Sequence, residues 1–389
     1  MKKTKDFLDP SSLTRVIAIM TTGRAGSGLM SSLFDNHPCI VSTPDCLLSR
    51  FDLFWGSNCD LPGAKLTEAF IDYYPILFDG AKGSKCPTIS NNLSSELNFT
   101  RMGECRDQTL YADVSVFRQS MRNYLPKIKC VTRRKFFQCL HLAYAESIGQ
   151  KLSGEPIIAY GLHMPRLDLI KSLTEDFPDS KFIHMVRDPV RMTASSFRHY
   201  RASNWIDLNM VADFVARSCH SGEPLPNESY QNWRTVRLED LHEQPKKTLT
   251  AICGWLDIPW HDRLLESTFN GLKYWNVKGS IQTSGFNKDI VDYAFDDIVT
   301  PFDRWRLGWL YEDRYFELGY HSNHGRVVRK LRKLSILPFF ILPLKMELLM
   351  LRLLGNTINP LGVLKAYFSL RKNIVHFVIY SPPCAPKIW

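Results

Sequence analysis

The stretch TTGRAGSGLMSSLFDNHP (residues 21–38) decides the fold of this chain. It follows a short apolar run, RVIAIM (15–20), whose length and β-branched residues predict a buried strand. Beyond its glycines, apolar residues recur at helical spacing, so residues 28–36 are predicted to form a helix that ends before Pro38. A strand, a glycine-rich turn and a helix predict a phosphate-binding loop, because loop N–H groups and a helix N-terminus both attract an anion.

This loop departs from the usual nucleoside-triphosphate pattern, GxxxxGK[ST]. Gly23 and Gly28 have the required spacing, but Leu29 and Met30 stand where the pattern has lysine and serine or threonine. The lysine serves the β- and γ-phosphates and the hydroxyl serves magnesium, so their loss argues against a triphosphate. A donor with one 5′-linked phosphate and a transferable group needs neither, and Arg24 can neutralise it instead.

A second motif follows another predicted buried strand, KFIHMV (181–186). The strand ends in Arg-Asp-Pro and passes into a predicted helix over residues 191–202, which places Ser195 eight residues after Arg187. A guanidinium and a hydroxyl so placed can bind one more phosphate, although Arg187 can equally pair with Asp188. Helices that alternate with short apolar strands predict an α/β fold with a central parallel sheet.

The two motifs resemble those of the sulfotransferases that use 3′-phosphoadenosine-5′-phosphosulfate (PAPS). RAGSGLMSSLFDNHP is similar to their 5′-phosphosulfate loop, FIHMVRDPVRMTASS to their 3′-phosphate motif, and VRLEDLHEQPKKTLTAICGWLDIP to a later segment. The resemblance covers about residues 14–40 and 155–290. It implies a central parallel sheet flanked by helices, of the P-loop type, and PAPS as co-substrate without a metal.

The resemblance also implies roles for individual residues. The backbone of the loop would hold the 5′-phosphosulfate, with Arg24 facing the charge that develops there; the loop residues are Arg24, Ala25, Gly26, Ser27, Gly28 and Leu29. Arg187 and Ser195 would hold the 3′-phosphate. Lys278 and Gly279 resemble the end of an R-K-G motif that closes over that phosphate, with Val277 in place of the arginine.

Sulfuryl transfer needs a base for the acceptor hydroxyl, and two residues are candidates. His163, in YGLHMP, resembles the catalytic histidine of K-T-H-L-P, although Gly161 replaces the lysine. Other branches have lysine at the position of His163, and tyrosylprotein sulfotransferases carry a catalytic glutamate where Asp45 stands here, 21 residues after Arg24. An imidazole, with an ordinary pKa of about 6.5, is favoured over a carboxylate near 3.9, which would need burial to raise its pKa.

The basic character of the chain belongs to its C-terminal tail. The chain carries a net charge of +10, and all of it lies from Arg326 onward, where eleven Lys or Arg stand beside one acid, Glu347. A neutral body gives no support for nucleic-acid binding. In the tail, an apolar stretch over 334–344 follows the basic cluster, which predicts a segment lying on a membrane or dipping into one leaflet. The alternatives are a helical arm packed on the body or on a second subunit, and, least favoured, a spanning helix.

These patterns predict two domains and a cytosolic protein. A sulfotransferase-like α/β domain is expected over 1–325, with a substrate-side insertion over 57–150, and a basic, apolar helical extension over 326–389. Ten scattered cysteines and an N-terminus without an apolar region predict a reducing compartment. The tail adds the prediction of peripheral membrane contact. The expected acceptor is a hydroxyl of a carbohydrate, a glycolipid or another membrane-proximal molecule. A degenerate P-loop kinase and a non-catalytic, membrane-recruited binding protein are the alternatives.

Overall fold

The computed structural model describes residues 8–85, 98–125, 130–223, 230–278, 281–292, 294–320, 324–355, 359–380 and 383–389. These residues fold around a five-stranded sheet in the order β2-β3-β1-β4-β5, with every neighbouring pair parallel. The α/β class with a central parallel sheet is therefore confirmed. The strands of the sheet are β1 Val16–Thr21, β2 Ile40–Ser42, β3 Ile157–His163, β4 Lys181–Val186 and β5 Trp233–Arg237.

Helices cover both faces of this sheet and continue to the C-terminus. In chain order the helices are α1 Ser27–Phe34, α2 Phe51–Asn58, α3 Gly63–Tyr73, α4 Val114–Tyr124, α5 Arg133–Ser147, α6 Leu167–Asp176, α7 Pro189–Ala202, α8 Met210–Cys219, α9 Leu238–Glu243, α10 Pro245–Leu256, α11 Asp289–Asp292, α12 Pro301–Leu310, α13 Glu312–Glu317, α14 Arg326–Ile336, α15 Lys345–Leu354 and α16 Pro360–Ile379. Two small antiparallel pairs stand apart from the main sheet: β6 Thr268–Phe269 with β7 Leu272–Lys273, and β8 Asn276–Lys278 with β9 Ile281–Thr283.

Strand β1 is buried along its whole length because its two faces contact different cores. Ala18 and Met20 belong to a core with the aromatic residues of α2, α3 and α5, which come from the 57–150 region and its N-terminal border. Ile17 and Ile19 face the opposite core, which α1 and α10 complete. Side chains alternate across a strand, so a run that is apolar throughout fits a sheet covered on both faces.

The sequence predicts the boundaries of the two motif helices closely. Helix α1 ends at Phe34, and Asn36 takes a left-handed backbone with φ 59° before Pro38. Helix α7 begins at Pro189, because the Asp188 carboxylate accepts a hydrogen bond from the Arg191 N–H at 2.8 Å and caps the helix.

The order of the strands determines where a ligand can bind. The central strand β1 has β3 on one side and β4 on the other, so the chain leaves β1 at the switch point of the sheet. Ligands of open α/β sheets bind outside the carboxyl ends of the strands at such a point. The loop after β1, the end of β3 at His163 and the end of β4 next to Arg187 all lie at this edge.

The C-terminal region packs on the body through a third core. Apolar residues of α14, α15 and α16 join residues of α7, α8 and α12, among them Ile336, Met350 and Phe377. Beyond α16 the chain returns to the main sheet, where Lys387 forms a parallel bridge with Thr235 of β5. The predicted helical C-terminal extension is confirmed, and its packing on the body follows the arm alternative left open by the sequence.

Candidate active site at the carboxyl edge of the sheet

The loop between β1 and α1 presents its backbone to the cleft. Gly26, with φ 89°, is the N-cap of α1, so the first N–H groups of the helix have no side-chain cap. The positive φ of Gly26 is strained for any other residue, and a Cβ there would also lie 2.4 Å from Leu238 Cδ1, so glycine is strongly favoured. Uncapped N–H groups at a helix start are donors for an anion. Of the other predicted loop residues, Ala25 and Leu29 bury their side chains in the core, so only their backbone can face a ligand.

Asp45 lies against the start of α1. Both of its carboxylate oxygens are 3.4 Å from the position that a Cβ on Gly28 would take, so the carboxylate packs directly against the backbone of Gly28. Asp45 is only 9% exposed. Burial raises the pKa of Asp45 to about 6, and the positive charge of Arg24 acts in the opposite direction. The sequence-predicted pair of Arg24 and Asp45 is thus brought together.

The backbone of Asp45 makes a separate contact with β3. It crosses β3 at Gly161, and a Cβ on Gly161 would lie 2.3 Å from the Asp45 carbonyl oxygen. A side chain at this position, such as the lysine of the K-T-H-L-P pattern, is therefore incompatible with the observed backbone path of residues 45 and 46.

We expect Gly161→Ala to lower the free energy of unfolding by about 1–3 kcal/mol, because a backbone clash forces β3 and the Asp45 segment apart. Gly254→Ala in α10 is the matched control, since an added Cβ there meets no atom within 4 Å. We expect it to stabilise the protein slightly, because alanine favours a helix. Urea titrations measure the free energy of unfolding of both variants. Equal stability of the two would contradict the close approach of the Asp45 backbone to Gly161.

His163 occupies the end of β3, directly beside the phosphate-loop strand. It pairs in register with Thr21, the last residue of β1, and its side chain is in part exposed at this edge of the sheet. Desolvation by the surrounding protein lowers the pKa of His163 to about 4, and the positive charges of Arg24 and Arg217 lower it further. The imidazole is therefore neutral at physiological pH and can accept a proton.

Two further residues of this cluster escaped the sequence analysis. Desolvation lowers the pKa of His199 to about 4, with Arg24 and His163 contributing. His199 follows Ser195 by one helical turn, so both lie on one face of α7, a spacing that could have revealed it. Arg217 comes from α8, where Thr22 Oγ1 donates to its carbonyl oxygen at 3.4 Å. No sequence pattern connects Arg217 with the loop.

Arg187 is buried at the end of β4 and is 2% exposed. Its Nη2 donates to the Ile290 carbonyl oxygen at 3.2 Å, while its Nε has no hydrogen-bond partner among the described residues. Asp188, the pairing alternative, caps α7, and its negative charge and that of Glu239 also act on Arg187. A buried guanidinium N–H without a partner fits an anionic ligand, which would replace or join the Ile290 carbonyl.

The two predicted phosphate-binding elements lie close together. A Cβ on Gly23 would be 3.5 Å from Ser196 Oγ on α7, next to the half-buried Ser195. Ile290 contacts both elements. It lines a small cavity together with Gly26 of the loop, and its carbonyl oxygen accepts the hydrogen bond from Arg187. The loop and the Arg187–Ser195 element are therefore neighbours at this edge of the sheet.

The third predicted motif is described in part. Lys278 is the last residue of β8, and Gly279 lies outside the described residues. Asn276 of β8 and Thr283 of β9 line the same small cavity as Gly26, which places this hairpin beside the loop. Within the described ranges, no group of three or more His, Cys, Asp or Glu side chains is arranged to hold a metal ion.

Comparisons with known proteins agree with these features. Residues 17–262 match the model of the sulfotransferase family. Among solved structures, the chain is 16% identical to the sulfotransferase domain of the Synechococcus PCC 7002 olefin synthase, covering 79% of this chain and 95% of that one with a TM-score of 0.44. It is also 16% identical to the sulfotransferase domain of the curacin biosynthetic pathway, covering 78% and 97% with a TM-score of 0.35. Identity to the sulfotransferase STF9 from Mycobacterium avium is 14%, covering 65% and 66% with a TM-score of 0.32. None of the curated proteins searched matches the chain.

Proposed function

The chain belongs to the sulfotransferase family, and from that premise we propose that it transfers a sulfuryl group from PAPS to an acceptor hydroxyl. One observation carries the proposal. The uncapped start of α1, the Arg24 guanidinium and two possible proton acceptors, Asp45 and His163, meet at the edge of the sheet where Arg187 also lies. The acceptor hydroxyl belongs to a carbohydrate, a glycolipid or another molecule close to a membrane.

Binding of the donor uses both sides of the cleft. The N–H groups from Arg24 to Leu29 bind the 5′-phosphosulfate, as their position at a helix start favours. Arg187 and Ser195 bind the 3′-phosphate, which gives the Nε of Arg187 the partner that it lacks within the described chain. No triphosphate lysine is needed, because the 5′ side carries a single phosphate.

The transfer step is an in-line displacement. The acceptor oxygen forms a bond to sulfur while the bond from sulfur to the 5′-phosphate oxygen breaks, and the acceptor proton passes to a base. Negative charge accumulates on the leaving phosphate oxygen, where Arg24 and the loop N–H groups stabilise it. The chemistry is therefore carried by positioning and by fixed positive charge.

Donor binding changes the two candidate bases in different ways. The donor is a polyanion, so it offsets Arg24 and Arg217 and raises the pKa of both His163 and Asp45. His163 moves from about 4 towards the ordinary value of an imidazole, which makes it a stronger base that is still largely neutral. Asp45 moves upward from about 6 and becomes increasingly protonated at neutral pH. We therefore assign the base to His163. Asp45 balances the charge of Arg24 only while the donor is absent and its carboxylate is ionised.

Ligand binding tests the donor assignment. We expect adenosine 3′,5′-bisphosphate to raise the melting temperature by several degrees, because a ligand at about 100 times its Kd adds about 2.7 kcal/mol of stability. ATP with magnesium and adenosine 5′-monophosphate should stabilise less. Arg187→Gln should remove the advantage of the bisphosphate over the monophosphate. Stabilisation by ATP with magnesium, but not by adenosine 3′,5′-bisphosphate, would instead favour a kinase.

Transfer itself is tested with labelled PAPS. Incubation with lipid and glycan extracts should produce a labelled acceptor fraction, and the same reaction with the Arg24→Ala variant should produce almost none. If no fraction is labelled although the bisphosphate binds, the chain is a nucleotide-binding protein without this activity.

A further inference from the structure

The C-terminal arm, defined as residues 326–380, has an inner face that packs on the rest of the protein. Its inward apolar side chains belong to the core shared with α7, α8 and α12. Its inward cations are neutralised by acids: Arg329 and Lys333 pair with Asp313, and Arg371 pairs with Glu347. Glu347, the one acid of the arm, is itself 7% exposed.

The outer face of the arm carries a different set of side chains. Its apolar residues are strongly exposed, with Val327 at 72%, Ile341 at 68% and Phe368 at 64%. They continue along α14, α15 and α16 through Val328, Leu331, Leu334, Phe339, Leu342, Leu348, Leu353, Leu361, Leu364, Val375 and Ile379. Exposed cations are interspersed among them: Arg326, Lys330, Arg352, Lys365 and Lys372. Among the described arm residues, no acid is exposed on this face.

One stretch of the arm, Arg326–Leu354, is apolar and long enough to cross a membrane by length and composition alone, and a third of its most apolar window is buried in the protein. The structure divides this stretch. Helix α14 has 11 residues and continues into a 3₁₀ helix over Leu337–Ile341, which together span about 26 Å, and α15 has 10 residues and spans about 15 Å. Each is shorter than the roughly 30 Å hydrocarbon core. Between them the backbone of Leu342 is extended ahead of Pro343. A segment broken in this way fits the plane of a membrane surface better than its thickness.

We propose that the outer face of the arm docks on the surface of a bilayer that contains anionic lipids. Apolar side chains enter the boundary between headgroups and acyl chains, and the interspersed lysines and arginines contact lipid phosphates or carboxylates. A second copy of the chain is the weaker occupant. An isologous contact would bring the same unbalanced cations of two protomers together, with no exposed acid on this face to pair with them.

Vesicle flotation of the full chain tests this surface. We expect binding to vesicles of phosphatidylcholine with 30% phosphatidylglycerol, which is a chosen composition of about one anionic lipid in three, and much weaker binding to phosphatidylcholine alone. Binding to the anionic vesicles should fall as salt rises, because the charge contribution is screened. Equal binding to both kinds of vesicle would overturn the anionic part of the proposal.

The cations are tested by a triple change to glutamine. Each basic residue near a charged membrane strengthens binding about fivefold, so the triple variant should lose about 100-fold in partitioning. The variant is Lys330→Gln with Lys365→Gln and Lys372→Gln. Its matched control removes three exposed lysines of the body and should bind as the parent does: Lys65→Gln with Lys151→Gln and Lys171→Gln.

The apolar part is tested in the same way. Serine in place of three exposed side chains should reduce partitioning by about tenfold or more, since the inserted apolar area is lost. The variant is Val327→Ser with Ile341→Ser and Phe368→Ser, and the control is Tyr111→Ser with Val116→Ser and Leu265→Ser. Light scattering in solution provides the other readout. Unchanged flotation, or a dimer that the arm variant converts to monomer while flotation stays the same, would overturn the proposal.

Discussion

Replacement of His163 by alanine is expected to lower kcat by about 10²–10⁴-fold, the usual contribution of a positioned general base. The imidazole ends β3 beside the phosphate loop and is neutral in the empty protein, so it can accept the acceptor proton when the donor is bound. The measurement is the single-turnover rate of transfer from labelled PAPS, with donor binding checked separately. Affinity for adenosine 3′,5′-bisphosphate should change little.

His220→Ala is the matched control for this prediction. His220 lies at the end of α8, its side chain is 41% exposed, and its Nδ1 is 2.6 Å from a carboxylate oxygen of Glu223. Its loss should leave the transfer rate unchanged. Asp45→Asn is the informative partner variant. If Asp45→Asn lowers kcat by about 10²–10⁴-fold while His163→Ala keeps most of the parent rate, the carboxylate is the base and our assignment is wrong.

The pH dependence of the rate identifies the base independently, because the charge of Arg217 shifts the pKa of His163 but is not a cause of the shift at Asp45. Arg24 lowers the pKa of both His163 and Asp45, whereas Arg217 is a cause of the shift only at His163. A base must be deprotonated, so the rate falls as pH drops through its pKa. Arg217→Ala removes a positive charge and raises the pKa of His163. The acid limb of the kcat profile should then move to higher pH, and an unmoved limb would point to Asp45.

Arg24→Ala is expected to lower kcat by about 10³-fold, within the range for removal of an arginine that stabilises a transferring group. Arg24 lies in the loop at the start of α1, where the proposed reaction would develop charge on the leaving phosphate oxygen. Because Arg24 also lowers the pKa of His163 and Asp45, its loss should move the acid limb upward whichever residue is the base. The rate of Arg24→Ala thus tests the stabilisation of the leaving oxygen, and its pH profile tests the effect of Arg24 on the pKa of the base.

Arg118→Ala provides the control for loss of a guanidinium. Arg118 lies on α4 and pairs with Glu68 at 2.9 Å on the surface of the body. A surface ion pair contributes at most about 1 kcal/mol, and its loss should not affect transfer. Arg24→Lys should recover part of the rate, because it restores charge without the bidentate geometry. A fully active Arg24→Ala variant would exclude the proposed role of the loop arginine.

Much of the donor side of the site is readable from local sequence. The strand–loop–helix around Arg24 and the strand–helix around Arg187 are each contiguous, so their apolar periodicity and glycine spacing can be read from one short stretch of sequence. The absence of the lysine and the magnesium-binding hydroxyl is equally local. The sequence therefore predicts the central parallel sheet, the strand–loop–helix and the family, all of which are confirmed. Phosphate binding by the loop stays a prediction.

The tertiary structure decided which distant residues meet at the loop and what their charges do there. The Asp45 carboxylate against Gly28 and the Asp45 backbone across Gly161 are contacts between separate elements, and the charge of Arg217 acts on His163 from another helix. No short sequence pattern records these interactions. The pKa values near 6 and 4 follow from burial and from neighbouring charge, which are properties of the packed chain. The arm follows the same division: sequence alone supplies its basic and apolar composition, while only packing separates an inner face with paired charges from an outer face without acids.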